Sequence, residues 1–251
     1  MGLFGRGKER KREAALPPFD LSLLGVDIHS HLIPGIDDGS KSMDQTIAMM
    51  AKFESLGYSR LITTPHIMGD FYRNTPEIIL GGLKEVQKTA NKLGLKIQID
   101  AAAEYYFDES LMNRLLAKEE LLTFGDKKVL FEFSMLSKPD QVDKLLFEFF
   151  TQGYTPVLAH FERYTYYFGS VEMATEWRGK GVEIQMNLNS LTGHYGPEVK
   201  KQAELLIDSK LVDYAVSDCH RIEHLMLLEK NLGRSYMHKL ADLDLKNSEL
   251  L

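Results

Sequence analysis

The chain has 251 residues, of which 44% are hydrophobic and 26% charged, and a formal net charge of -6. That length suits one large α/β domain or two small ones, the composition supports a substantial core, and the negative balance argues against general nucleic-acid binding. The single cysteine, Cys219, rules out an internal disulfide and fits a reducing cytoplasm, while no apolar run reaches the roughly 18 residues of a membrane span.

Residues 1–18 read as a flexible basic tail, with Lys8, Arg10, Lys11 and Arg12 close together. No apolar segment of a secretory signal follows them, and Arg6 stands where a myristoylation motif needs Ser or Thr. A solvated tail is one reading. Weak contact with an anionic membrane surface, helped by Leu3 and Phe4, is the other. Pro17-Pro18 closes the tail, and one folded domain is expected over residues 19–251.

From Phe19 onward, short β-rich runs alternate with helical stretches. The runs are Gly25–Ile28, Arg60–Thr63, Lys96–Ala101, Lys128–Phe133, Thr155–Ala159, Val182–Asn187 and Val212–Val216. Ser42-Met43-Asp44-Gln45 reads as a capping box before an apolar face of Ile47, Met50, Ala51 and Phe53, and Gly57 as its stop. Thr75-Pro76-Glu77 opens a second helix that Gly94 ends. Asp108 and Glu109 cap another. Ser137-Lys138-Pro139-Asp140 opens one that Gly153 ends, and Pro197 opens one reaching about Lys210. Sustained strand–helix alternation predicts a largely parallel sheet. Seven strands in sequence suggest a closed or nearly closed barrel.

Barrels of this kind keep their chemistry at the C-terminal ends of the strands. His29 and His31 follow the first strand, two residues apart and so on one face, with Asp38 beyond them. His66 follows the second, Glu104 the third, and Glu132 ends the fourth. His160 and Arg163 follow the fifth, Asn187 and Asn189 the sixth, and Asp218, His220 and Arg221 the seventh. A single histidine at a strand end is commonly just a satisfied polar residue. Five of the eight histidines at one rim call for another reason. His29, His31, Asp38, His66, Glu104, His160, Asp218 and His220 offer eight N and O donors, more than one ion takes up, so on the order of two or three ions are expected. Glu104 suits a bridge between two of them, since a carboxylate has two oxygens. Glu132 is expected to support the site from behind or to play a structural part. Tyr164, Tyr166 and Tyr167 could flank an aromatic substrate ring or serve packing.

These residues carry a resemblance. The stretch from Asp27 to Gly39, with Thr64-Pro65-His66, Ala103-Glu104-Tyr105-Tyr106, His160-Phe161-Glu162-Arg163-Tyr164 and Ser217-Asp218-Cys219-His220, resembles the PHP (polymerase and histidinol phosphatase) superfamily. Within it, the match is to bacterial tyrosine-protein phosphatases of the CpsB/YwqE type. The resemblance covers about Gly25 to Gly233. It implies a distorted seven-stranded β/α barrel of the PHP type with a trinuclear metal centre, usually of manganese, though iron, zinc or cobalt suit the same donors. By the same resemblance His29, His31, Glu104 and Asp218 hold one ion, and His66, Glu104 and His160 a second. Asp38 and His220 serve a third ion or neighbouring positions. Arg163 matches the family's phosphate-binding arginine. Its second arginine stands a few residues beyond the last Asp-x-His, whereas here Arg221 follows His220 directly.

The implied activity is hydrolysis of phosphotyrosine on a bacterial tyrosine kinase that controls capsule or exopolysaccharide synthesis and export. The implied setting is the cytoplasm, with the tail leaving contact with the inner membrane open. Arg163 is expected to grip phosphate, and His220 or a bound water to protonate the leaving group. A cysteine-dependent mechanism is excluded: six residues after Cys219, where its phosphate-cradling arginine would stand, is Leu225. A small-molecule phosphomonoesterase, such as a histidinol-phosphate phosphatase, and a non-catalytic metal-stabilised adaptor are the alternatives. Oligomeric state is left open by the sequence.

Overall fold

The structure is a computed structural model that describes residues 16–251. The expectations for residues 1–15 therefore lie outside the described residues. Leu16 and Phe19 each donate a backbone hydrogen bond to the 232–233 turn, so the chain is tied down from Leu16 onward.

Among the described residues nine strand segments form, and every pairing between them is parallel. They are β1 (Val26–Asp27), β2 (Arg60–Thr63), β3 (His66–Ile67), β4 (Gln98–Ala101), β5 (Glu104–Tyr106), β6 (Lys128–Glu132), β7 (Thr155–Leu158), β8 (Glu183–Asn187) and β9 (Tyr214–Val216). The expected second run forms as β2, and a further short segment, β3, follows it: Thr64-Pro65 separates the two, where proline cannot donate to a ladder. Ala102-Ala103 likewise separates β4 from β5. One sheet runs β1-β2-β4 and the other β3-β5-β6-β7-β8-β9. Just past β9 and β1, Ser30 and Cys219 form an isolated parallel bridge, and Asp27 Oδ1 accepts from Ser217 N at 2.7 Å.

Helices return the chain between strands: α1 (Met43–Ser55), α2 (Pro76–Leu93), α3 (Glu109–Leu116), α4 (Val142–Thr151), α5 (Glu172–Gly179), α6 (Pro197–Asp208), α7 (Ile222–Asn231) and the short α8 (Ser235–His238). The capping signals act locally as their chemistry requires. Ser42, Thr75 and Asp108 each accept a hydrogen bond from the backbone N–H three residues on. Gly94 closes α2 in the left-handed conformation. The Ser137 signal fails, because α4 starts only at Val142. Pro139 turns Lys138 away from helical geometry, and Ser134 Oγ accepts from the N–H groups of Leu136 and Ser137, fixing a local turn instead.

Period-two alternation sorts the inner face of the sheets into layers. Val26, Ile28, Ile62, Ala102, Leu130, Val157, Tyr214 and Val216 form a buried apolar layer, with Leu250 against it. Below it, at the strand starts, Lys128 and Lys246 pair with Glu183 at 2.7 and 2.8 Å. Above it lie the polar strand ends. A larger apolar cluster packs the outer faces against the helices.

The C-terminal segment bridges the gap between β1 and β9. Asn247 Nδ2 donates to the carbonyls of Val26 and Ala215, both at 3.0 Å, and its Oδ1 accepts from Ala215 N at 3.1 Å. Asn247 is 1% exposed, so truncation strands three buried backbone groups. We expect Asn247→Ala to cost about 3 kcal/mol in urea unfolding; an unchanged midpoint would deny the segment this role.

Burial pushes the Glu183 carboxyl up, but the ammonium groups of Lys128 and Lys246 outweigh it and hold the pKa below its ordinary value. The resulting stability is present above the unfolded-state pKa of about 4.3 and is lost as pH falls through the lower folded value. The stability gap between wild type and Glu183→Gln should therefore be constant near neutrality and shrink below about pH 4. A gap that persists at pH 3 would contradict this.

Candidate metal centre

The strand ends converge on Glu104, the first residue of β5, which is 1% exposed. Its carboxylate lies 3.1 Å from His29 Nε2, 3.5 Å from His31 Nε2, 3.1 Å from His66 Nδ1 and 3.3 Å from His160 Nε2. Asp218 closes the other side, with Oδ1 at 3.4 Å from His29 Nε2 and 3.6 Å from His31 Nε2. The two histidines of the first motif thus aim the same nitrogen at the same pair of carboxylates, as their spacing predicts.

Their orientation is fixed from behind. His29 Nδ1 meets Gln185 Oε1 at 2.8 Å and His31 Nδ1 meets Asp37 Oδ2 at 2.8 Å, which leaves Nε2 facing inward. Gly39 makes this possible, because a Cβ there would stand 2.3 Å from both Cβ and the carbonyl oxygen of His31. His220 stacks on His31 with ring centroids 4.0 Å apart. Its ring reaches Asp38 at 3.5 Å and Asp218 at 3.4 Å, and Asp38 also faces His66 at 3.6 Å. His160 and Asp218 both adopt the left-handed backbone, at φ 35° and 49°. Each stands two residues past the last residue of its strand, β7 or β9, and strain of this kind is characteristic of functional positions.

Glu132 is a correction. Its side chain stands 3.5 Å from His66 and 3.3 Å from His160, so it belongs to the cluster rather than behind it. The signal was available: Lys128, Leu130 and Glu132 share one face of β6, and the first two point inward. Asp37 and Gln185, behind His31 and His29, are further residues that no signal in the sequence placed at the site. Arg163 is brought to the cluster, its Nη1 donating to Asp218 Oδ2 at 3.1 Å. Arg221 is not: it is exposed at the start of α7 and makes no side-chain hydrogen bond or ion pair among the described residues. Tyr164 and Tyr167 are buried in the core, and packing explains them.

The donor set fits ions. Three overlapping groups each bring ligand atoms within 4.8 Å of one another: His31, Asp38, His66 and His220; His29, His31 and Glu104; and His66, Glu104 and Glu132. His31 Nε2 and His66 Nδ1 are buried without a hydrogen-bond partner, a costly condition that a metal ion relieves. Charge points the same way. Burial pushes the Glu104 carboxyl up, yet His29 and His66 outweigh it and hold it well below the carboxylate range. Asp218 is likewise held down against burial by His29 and His220. Burial opposes protonation of His160, but hydrogen bonds to Glu104 and Glu132 raise its pKa to about 9. The carboxylates stay ionised and call for positive charge.

The fold and the site together define a parallel α/β protein with a cluster of His, Asp and Glu donors able to hold metal at one strand rim, beside an arginine. The chain belongs to the capsular polysaccharide synthesis CpsB/CapC family, whose sequence profile matches residues 25–246. It is 28% identical over 235 residues to the tyrosine-protein phosphatase YwqE of Bacillus subtilis, covering 90% of this chain and 91% of that one. It superposes with a TM-score of 0.75, at 26% identity, on a structure from the work on YwqE of Bacillus subtilis and CpsB of Streptococcus pneumoniae, described as unique metal-dependent tyrosine phosphatases; the match covers 90% of this chain and 94% of that one. An amidohydrolase from Mycoplasma synoviae shares the fold alone, at a TM-score of 0.54 and 12% identity over 92% of this chain and 88% of that one.

Proposed function

We propose that this chain is a metal-dependent protein-tyrosine phosphatase acting on a bacterial tyrosine kinase of capsule or exopolysaccharide synthesis. The observation that carries the reading is Arg163: a guanidinium hydrogen-bonded to a carboxylate of the ion-binding cluster, at the mouth of the strand rim. Family membership and the names of the relatives support the substrate class. We read the two sheets, bridged through Ser30–Cys219 and Asn247, as the distorted seven-stranded barrel of the PHP type, with residues 19–251 as the phosphatase domain. No helix among the described residues is long and apolar enough to cross a membrane. We place the enzyme in the cytoplasm, with membrane proximity resting on the basic residues before Leu16.

In this reading His29, His31, Glu104 and Asp218 would hold one ion and His66, Glu104, Glu132 and His160 a second. Asp38 and His220 would serve a third, since the one inward nitrogen of His31 is taken by the first. Manganese fits these N and O donors, as do iron, zinc and cobalt. Divalent ions there would supply Lewis acidity toward the phosphoryl oxygens and acidify a water for in-line attack. The rest falls to the chain. Arg163 binds two phosphoryl oxygens through its fork and neutralises charge that builds on them. Burial opposes its charge, but the Asp218 carboxylate beside it raises its pKa, so it stays cationic. Gln185 and Asp37 keep the rings of His29 and His31 from turning away. His220, as a ligand there, has no proton to spare, so the leaving tyrosyl oxygen takes its proton from water at the partly exposed rim beside Asp38 and His220. With a pKa near 10 that oxygen needs less help than an alkyl alcohol.

Metal-loaded protein should hydrolyse phosphotyrosine peptides, lose the activity on chelation and regain it with manganese. A rate retained after thorough metal removal overturns the reading. A panel containing histidinol phosphate and other small monoesters separates peptide from small-molecule hydrolysis by kcat/KM.

A further inference from the structure

Arg163 is held by more than its ion pair. The ring of Tyr195 lies under its guanidinium, 4.5 Å from the centroid to Cζ. Asp218 holds one edge of the fork through Nη1, so the group is fixed by a carboxylate at one edge and an aromatic face beneath. No other side-chain hydrogen bond of Arg163 is present among the described residues. That leaves donors of the fork for an incoming phosphate.

Tyr195 is itself firmly placed. It sits in the tight Thr192–Gly196 turn between two left-handed glycines, Gly193 at φ 85° and Gly196 at φ 103°. Gly196 N donates to Gly193 O at 3.1 Å, and Thr192 Oγ1 both donates to Asn189 O and accepts from His194 N. The His194 ring meets the Tyr195 ring edge-on at 4.7 Å and packs against His224 at 5.4 Å. The turn is also tied to the segment that carries Arg163. Glu162, the residue before it and fully buried, accepts from Ser190 Oγ at 2.6 Å and from Asn187 N at 3.0 Å. One carboxylate therefore fixes the loop after β7, which supplies the arginine, to the loop after β8, which supplies the ring.

We propose that Tyr195 is a positioning residue for the phosphate site: its ring face sets the plane of the Arg163 guanidinium so that the free edge of the fork meets the phosphoryl oxygens. The inference rests on the phosphatase reading for its meaning, though not for its test. A cation over an aromatic face is attracted by the ring quadrupole, more strongly in a desolvated site. Without the ring the long arginine side chain regains rotamers in which the fork no longer faces the phosphate.

The probe is inorganic phosphate, titrated calorimetrically into metal-loaded full-length protein. Tyr195→Leu, which keeps apolar bulk but no π face, should weaken phosphate binding about tenfold. Tyr195→Phe should hold it within about twofold of wild type. Metal content should be the same in all. With Arg163→Ala as background, Tyr195→Leu should bring no further loss, since the ring acts through the arginine. Wild-type phosphate affinity in Tyr195→Leu overturns the proposal, and so does an equal loss in the Arg163→Ala background. Tyr195→Met serves in place of the leucine variant if that one does not fold. Absence of phosphotyrosine turnover would defeat the phosphatase reading, yet phosphate affinities would still decide the role of Tyr195.

Discussion

Glu104→Gln should lower kcat/KM on phosphotyrosine peptide by about a thousandfold and strip the protein of ions. The size follows from position. Four histidines, three of them buried, lie within 3.5 Å of this one carboxylate, and it belongs to two of the three groups of converging donors. An amide keeps the shape but loses the charge, and presents a donor where an acceptor is needed. The histidines then face one another with no shared anion between them. Charge stabilisation by bound ions is worth several kcal/mol in the transition state, and each 1.36 kcal/mol is tenfold in rate. Metal analysis and steady-state kinetics on the same sample check both halves. A variant that retains a tenth of kcat/KM, or its full complement of ions, would remove Glu104 from the bridging position.

Arg163→Ala should lower kcat/KM about a hundredfold, the scale seen when one preorganised donor to a transition-state oxygen is lost. Its ion content should be unaffected, because Arg163 lies outside all three donor groups. Arg163→Lys should recover little. An ammonium is a point charge without the planar fork, and it cannot keep one edge on Asp218 while offering another to phosphate. An unchanged kcat/KM in the alanine variant would take Arg163 out of the site. Loss of ions together with activity would instead give it a structural part through Asp218.

Much of this centre is legible in the sequence for a simple reason. Metal ligands sit at strand ends, and strand ends are marked by a change of texture from β-branched residues to polar ones. His29, His31, His66, Glu104, His160 and Asp218 were found that way, and the structure brings them together. Glu132 was misjudged because it ends its strand rather than following it, and only the inward placement of Lys128 and Leu130 settles its face. Asp37 was hidden by its neighbour: in Ile36-Asp37-Asp38 either carboxylate could turn inward, and a loop has no period to decide. Here both are used, Asp37 behind His31 and Asp38 before His66 and His220.

The architecture divides similarly. Helix starts with a capping side chain were placed correctly, since capping is a contact over three residues. The start of α4 was missed because Pro139 and Ser134 act on the same few residues in opposition to the helix signal. The role of Asn247 was not visible at all. It joins backbone groups of Val26 and Ala215, and nothing local in the sequence marks an asparagine that will meet partners so far away along the chain. Tyr195 was passed over for the same reason: its significance lies in Arg163, held on a different loop.

Sharing of ions through Glu104 is tested most directly by anomalous scattering from crystals of the purified protein. Data collected at the absorption edge of the bound metal should show at least two peaks in the cluster. One should lie against His29, His31 and Asp218 and another against His66, Glu132 and His160, with Glu104 touching both. Fewer than two peaks, with His66 and His160 free of metal, would contradict the bridged centre.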